Sequence, residues 1–384
     1  MKKKVGIMTL YHNNNNYGGV AQAYALNKYF TMQGYDSEII TYKRNKNSKN
    51  TSKVKMNIII LFKLIKNKIW KKCKSIVERR LDKTVYDKLK LRAELLENFR
   101  NNIKHSKEYD FNTVKECENN YDFFVTGSDQ CWKPNVIDEN YVFNYIQKNN
   151  CVFSYAPSIA VNDVDEEYKE FMKKSLKKYK CISVREEKGK EILEDIVDRE
   201  IEWVVDPTLL LTDKEWEQVT SQRVIEEKYV FSYLLGDSIS QRRMIKKFAK
   251  KKGYKLVTIP HIKNGNKFSY NLEDKNFGDI QMLDIGFEDF LSLIKYSEYV
   301  ITDSFHAVVF SYIFKKNFFA LERNGVFATS SRIKSLLKIL NLENRLIINK
   351  KDIADEKNVD YSKGSQNMEN MINKSKGFID NALN

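Results

Sequence analysis

The stretch VGIMTLYHNNNNYGGVAQAYALNKYFTMQGYDSEIITY, residues 5–42, decides the fold. Val5-Gly6-Ile7-Met8-Thr9-Leu10 is a short apolar run, followed by the polar loop Tyr11 to Asn16 and by Gly18-Gly19, the pattern of a buried strand and the turn after it. Ala21, Tyr24, Ala25 and Tyr29 then fall at helical spacing on one face. Gly34 is placed to end that helix, because it adopts the left-handed conformation without a Cβ penalty. Glu38–Tyr42 reads as a second strand, and strand, helix and strand together form a β-α-β unit.

The alternation continues outward. Strands are predicted at 122–126, 152–156, 181–184 and 203–205, with a charged helix at about 164–179. A second set follows a junction at 207–228: strands at 229–234, 255–259, 299–302 and 317–321, helices at about 239–252, 287–296, 304–315 and 331–340. Such alternation means parallel sheets covered on both faces. The expected fold is α/β, two Rossmann-like domains facing across a cleft, at 1–206 and 207–349. A basic helical insert at about 43–107 interrupts the first domain, and a polar tail, 350–384, is expected to be helical. Ligands of such sheets bind outside the carboxyl ends of the strands.

Composition removes several classes. Among 384 residues 42% are hydrophobic and 30% charged, which excludes disorder throughout. Five cysteines, with no C-x-x-C pair, speak against a disulfide framework or structural zinc and for a reducing compartment. No apolar run approaches the roughly 18 residues of a membrane span, and the apolar stretch after Lys2-Lys3-Lys4 is too short for a signal peptide, so a soluble cytoplasmic protein is expected. The net charge of +15 is localised: residues 43–107 hold 21 Lys/Arg against 5 Asp/Glu, leaving 45 against 46 from totals of 66 and 51. Basicity therefore belongs to one insert, and nucleic acid is not an expected partner.

Five polar clusters follow strands or open helices. Asn16-Tyr17-Gly18-Gly19 can present backbone N–H groups to an anion at a helix N-terminus, or be a plain tight turn. Ser128 and Asp129 follow the strand at 122–126; Asp129 is a candidate base or a helix cap. Arg185, at a strand mouth, suits a carboxylate or phosphate through its fork, or pairs with Glu186 or Glu187. Ser304 reads as an N-cap that places His306 in the first turn of a helix. Ser331 and Arg332 open another helix and again favour an anion. Together they describe a cleft for an anionic ligand without naming a reaction.

The whole pattern resembles the polysaccharide pyruvyl transferase family. The resemblance is carried by Asn16-Tyr17-Gly18, Gln22-Ala23-Tyr24-Ala25-Leu26, Gly127 to Trp132, Ser154 to Ser158, Ser183 to Glu186, Asp206 to Leu210, Thr302 to Ala307 and Ser331 to Ile333, in order over about 5–345. Ala307 stands where the family has Gly, and Ser304 stands where more distant relatives have Arg. The resemblance implies a glycosyltransferase B-like fold and transfer of pyruvate from phosphoenolpyruvate onto two hydroxyls of a sugar, giving a cyclic ketal in bacterial surface-polymer synthesis. It implies Arg185 and Arg332 on the donor's anionic groups, His306 as phosphate ligand or proton-transfer group, and Asp129 as a further base. Ser304, Ser331, Asn16, Tyr17, Gly18 and Ser128 would line the site, with no metal or redox cofactor. The acceptor would be an undecaprenyl-diphosphate-linked sugar.

Two rival readings stand beside it. A nucleotide-sugar glycosyltransferase of the same fold would need a carboxylate for the ribose, for which Glu322 is the candidate. A non-catalytic basic adaptor would act through residues 43–107. Within that insert a helix at about 56–72 sets Ile58, Leu61, Phe62, Ile65 and Ile69 against Lys63, Lys66, Lys68, Lys71 and Lys72, a composition suited to an anionic membrane at the cytoplasmic face.

Overall fold

The computed structural model describes residues 2–12, 15–44, 83–148, 151–263, 269–323, 331–348, 353 and 358–384. The helix expected at 56–72, with its five lysines, lies outside the described residues.

The opening unit comprises β1 (Lys4–Met8), α1 (Tyr17–Met32) and β2 (Asp36–Ile39), the two strands pairing parallel. Asn16 Oδ1 caps α1 by accepting from Gly18 N at 2.9 Å, and Gly34, at φ 90°, turns the chain out of it. The predicted single apolar face understates α1, which is buried nearly all round from Tyr17 to Phe30. It lies between the first sheet and helices of the other half, so both faces need small or apolar residues.

After α2 (Lys83–Asn101) come β3 (Phe123–Thr126) and β4 (Val152–Ser154), completing a parallel sheet in the order β2-β1-β3-β4. α3 (Glu166–Ser175), β5 (Ser183–Val184), α4 (Glu187–Glu194) and β6 (Glu202–Trp203) follow. The β5–β6 pair hangs on the edge of β4, where Lys180 N donates to Val152 O at 2.7 Å.

The short α5 (Asp213–Glu217), held by a Thr212–Glu215 capping box, leads to the second half. There β7 (Tyr229–Tyr233), α6 (Ile239–Lys252), β8 (Lys255–Ile259), the hairpin β9 (Ile262–Lys263) and β10 (Ser269–Tyr270), and β11 (Ile280–Gln281) come first. α7 (Phe287–Lys295), β12 (Tyr299–Thr302), α8 (Phe305–Ile313), β13 (Asn317–Leu321), α9 (Ser331–Ile339) and β14 (Leu346–Ile347) complete it. The six-stranded order is β11-β8-β7-β12-β13-β14, every pair parallel. The result is a two-domain, glycosyltransferase B-like α/β fold.

The last helix, α10 (Ser362–Leu383), is amphipathic rather than simply polar. Met368, Phe378, Ile379, Ala382 and Leu383 enter the core, and Ser375 Oγ accepts from Val205 N at 3.0 Å. Its apolar residues recur at helical spacing but are diluted by Asn, Lys and Ser. Among the described residues no helix is long and apolar enough to cross a membrane.

Candidate active site

Each sheet reverses its strand order at one point, and an open crevice forms there. In the first sheet the point lies between β1 and β3, in the second between β7 and β12. The segments leaving those four strands lead to Asn16–Gly18, Gly127–Asp129, Gly236 and Asp303–His306, so both crevices carry polar groups.

Asp206, just after β6, is the hub. Its Oδ1 accepts from Thr208 N at 3.0 Å and Thr208 Oγ1 at 2.6 Å. Its Oδ2 accepts from Arg185 Nη1 at 2.5 Å and Ser128 Oγ at 3.3 Å, and lies 3.6 Å from His306 Nε2. Burial alone raises a carboxyl pKa, but Arg185 and His306 outweigh it and hold Asp206 well below the usual carboxylate range. The hub thus joins the first half, through Arg185 and Ser128, to the second, through His306.

His306 sits in the first turn of α8, buried against the first turn of α1. A Cβ placed on Gly18 would lie 2.0 Å from His306 Nδ1, so only glycine lets the ring approach α1 this closely. Arg185 is also 3.5 Å from Asp129 Oδ1, and its guanidinium lies 4.9 Å from the centroid of the Phe305 ring. Opposing burial, Asp206, Asp129 and Glu186 raise the Arg185 pKa. Asp129 holds φ 67° and ψ −169°, a region costly for any residue with a Cβ, and such strain is concentrated at functional sites.

Arg332 is different. It is 6% exposed, its Nε has no hydrogen-bond partner, and its guanidinium lies 5.7 Å from the Phe305 centroid. Burial, reinforced by Arg185 and Arg323 and opposed in part by Asp129 and Glu186, brings its pKa down to about 10. Lys133 is pushed down as well, by burial and then by Arg332 and Arg323. A buried cation among cations costs free energy unless an anion joins it.

A sequence profile described as polysaccharide pyruvyl transferase matches residues 16–325. The chain belongs to the polysaccharide pyruvyl transferase family. No curated protein matches it. Among solved structures it is similar to a putative UDP-N-acetylglucosamine 2-epimerase from Listeria monocytogenes, at 10% identity and TM-score 0.52 over 99% of this chain and 89% of that one. A second UDP-N-acetylglucosamine 2-epimerase gives 12% identity and TM-score 0.50 over 99% and 95%. At these identities the likeness shows the fold alone.

In this pyruvyl transferase family member, Gly18, Ser128, Asp129, Arg185, His306 and Arg332 are brought together. Asn16 serves as the α1 cap and Ser331 stands at the start of α9. Tyr17 instead faces the junction between the halves, stacked on Phe290 at 4.5 Å with its hydroxyl donating to Ile285 O at 3.1 Å. Ser304 occupies the N-cap position of α8 without a side-chain cap bond; its N–H donates to Thr302 Oγ1 at 3.0 Å. Asp129 does not cap the turn after it, and its carboxylate faces Arg185. Arg185 does not pair with Glu186 or Glu187: Glu186 Oε1 accepts from Ser158 Oγ, Ile159 N and Ala160 N, and Glu187 holds Lys338. Glu322 pairs with Lys334 at 2.8 Å.

Sequence reasoning missed Asp206, Phe305, Lys133 and Arg323. Asp206-Pro207 reads as a strand stop, which it also is. The available signal was an acid at a strand end in a chain with several strand-end arginines.

Proposed function

We propose that this pyruvyl transferase family member moves pyruvate from phosphoenolpyruvate onto two hydroxyls of a lipid-linked sugar, releasing phosphate. The observation that carries the reading is Arg332: a buried guanidinium near Arg185, Arg323, Lys133 and an aromatic face, where the carboxylates of Asp129 and Glu186 only partly offset the positive charge, poised for a ligand with more than one negative charge. Phosphoenolpyruvate brings a carboxylate and a phosphate.

In this reading Arg332 takes one anionic group, and Arg185, held in place by Asp206 and Asp129, presents its remaining N–H groups to the other. His306 lies between Gly18 and Asp206, its Nε2 3.6 Å from the Asp206 carboxylate, and serves as the proton-transfer group. The first acceptor hydroxyl adds to the enol carbon while the methylene carbon gains a proton, the net destination of that hydroxyl's proton. The C–O bond to phosphate then breaks, the second hydroxyl closes the ketal, and its proton leaves with the phosphate. Positioned cations stabilise the charge on the leaving phosphate.

Phosphate release from phosphoenolpyruvate, measured with a panel of lipid-linked sugars, tests the reading. A thermal-shift series adds a second readout. Phosphoenolpyruvate should raise the melting temperature of the wild type and not of Arg332→Met, while the free Arg332→Met protein, relieved of a buried unpaired charge, should melt no lower than wild type. Stabilisation by UDP-sugars but not by phosphoenolpyruvate would overturn it.

A further inference from the structure

We infer that the outer face of α6 is a docking surface for an anionic phospholipid membrane. Arg243, Lys246, Lys247, Lys250 and Lys251 follow one another at helical spacing and are all exposed. The helix, ISQRRMIKKFAKKK, contains no Asp or Glu. This is not simply the lysine-rich composition of the chain. On α3, by contrast, the lysines are interspersed with Glu166, Glu167 and Glu170.

At the foot of α6, Lys250 and Lys246, whose Nζ donates to Asn276 O at 2.7 Å, join Lys228 and Lys255 around a groove of about 690 Å³ that Glu227 also lines. Asp279, on the same wall, is engaged by Leu256 N at 2.8 Å. The groove suits a phosphate headgroup, and the stripe suits the charged plane around it.

The platform is rigidly tied to the candidate site. On the opposite side of α6 the buried Arg242 donates from Nε and Nη2 to Asp274 Oδ1, at 2.9 and 2.6 Å, and from Nη2 to Gly236 O at 2.9 Å. Gly236 N donates to Asp303 Oδ2 at 2.8 Å, in the segment that carries His306. A membrane bound along α6 therefore has a fixed orientation to the cleft. Phe248 of α6 is buried and Tyr254 in the groove is half-buried, so the stripe itself presents no exposed ring on which bases would stack, whereas the helix opens with Ile239, 54% exposed, an apolar group that a headgroup layer accepts. Each basic side chain near an anionic leaflet adds attraction, weakened by salt.

Co-sedimentation of the full chain with phosphatidylglycerol-containing and with pure phosphatidylcholine vesicles tests the surface. In one variant Arg243, Lys246, Lys247, Lys250 and Lys251 are each replaced by Gln. A charge-matched control replaces Lys173, Lys174, Lys177, Lys188 and Lys190 by Gln. Wild type and control should bind the anionic vesicles alone and be released by salt, and the α6 variant should partition at least about tenfold less while melting like wild type. Equal losses in both variants, wild-type binding by the α6 variant, or retention of a single-stranded oligonucleotide in place of vesicles would each overturn the inference.

Discussion

Asp206 divides its two oxygens, Oδ1 to Thr208 and Oδ2 to Arg185, Ser128 and His306. Its folded-state pKa lies below the unfolded value of about 3.9. The associated stability is therefore fully present above that value and is lost as pH falls below it towards the folded value. Urea titrations at stepped pH should show part of the acid loss below about pH 4 disappearing in Asp206→Asn, with stability at neutral pH reduced by about 3 kcal/mol because a buried ion pair is broken. An unchanged acid limb would show that the hub is not what titrates. Gly18→Ala probes the same site sterically. The added methyl meets the His306 ring at 2.0 Å, so the ring must move, and phosphate release should fall by about 10²-fold while the helix itself still forms. Turnover within a few-fold of wild type would mean that the ring position is not critical. His306 and Arg185 could be named from the sequence because each stands at an element's end within a motif of the family the chain resembles, and the structure brings them together on Asp206. Asp206 was not, because an Asp before Pro already has a local use as a turn residue.

At the scale of elements, α10 carries an internal comparison. Glycine in a helix costs about 1 kcal/mol relative to alanine, so Gly→Ala ordinarily stabilises. At Gly377 nothing lies within 4 Å of an added Cβ, and the ordinary sign is expected. At Gly364 the Cβ would fall 2.1 Å from Leu340 O, a backbone atom at the end of α9, so α10 must shift and Ala should destabilise. Denaturant midpoints of the two variants on opposite sides of wild type would establish that α10 is seated on α9 by close backbone approach. The longer strands of both sheets and the helices between them were readable because each is a continuous apolar run or a periodic face. The hairpin β9–β10 and the short β11 and β14, both in the second sheet, were not, since two-residue strands carry no period. The seating of α10 was hidden for a different reason: its contacts lie far along the chain, on α9 and at Val205.

Across the whole molecule the two sheets share one interior, beside a separate apolar cluster that each packs on its other face. One apolar cluster runs from Val5, Val20 and Phe153 in the first half through Trp216 at the junction to Phe231, Phe290 and Val308 in the second. Tyr17, at the start of α1, donates to Ile285 O, a partner 268 positions away. Arg92 of α2, fully buried, lies over the Tyr17 ring at 4.6 Å and donates from Nη1 to Pro260 O at 2.7 Å. No local pattern announces such contacts. A Tyr beside two glycines reads as part of a ligand loop, and an Arg on a lysine-rich insert reads as a solvated charge. Because opening this seam would expose stacked aromatics and strand a buried guanidinium, the halves are expected to unfold together. Calorimetry should show one transition with matching calorimetric and van't Hoff enthalpies, although a chain of this length with two sheets ordinarily invites two. Arg92→Ala, which removes both the carbonyl contact and the ring contact, should lower the midpoint by weakening the seam. Two resolved transitions in the wild-type protein would mean that the seam is a contact between independent domains, and that the Asp206 bridge, not the shared core, sets the relative placement of Arg185 and His306.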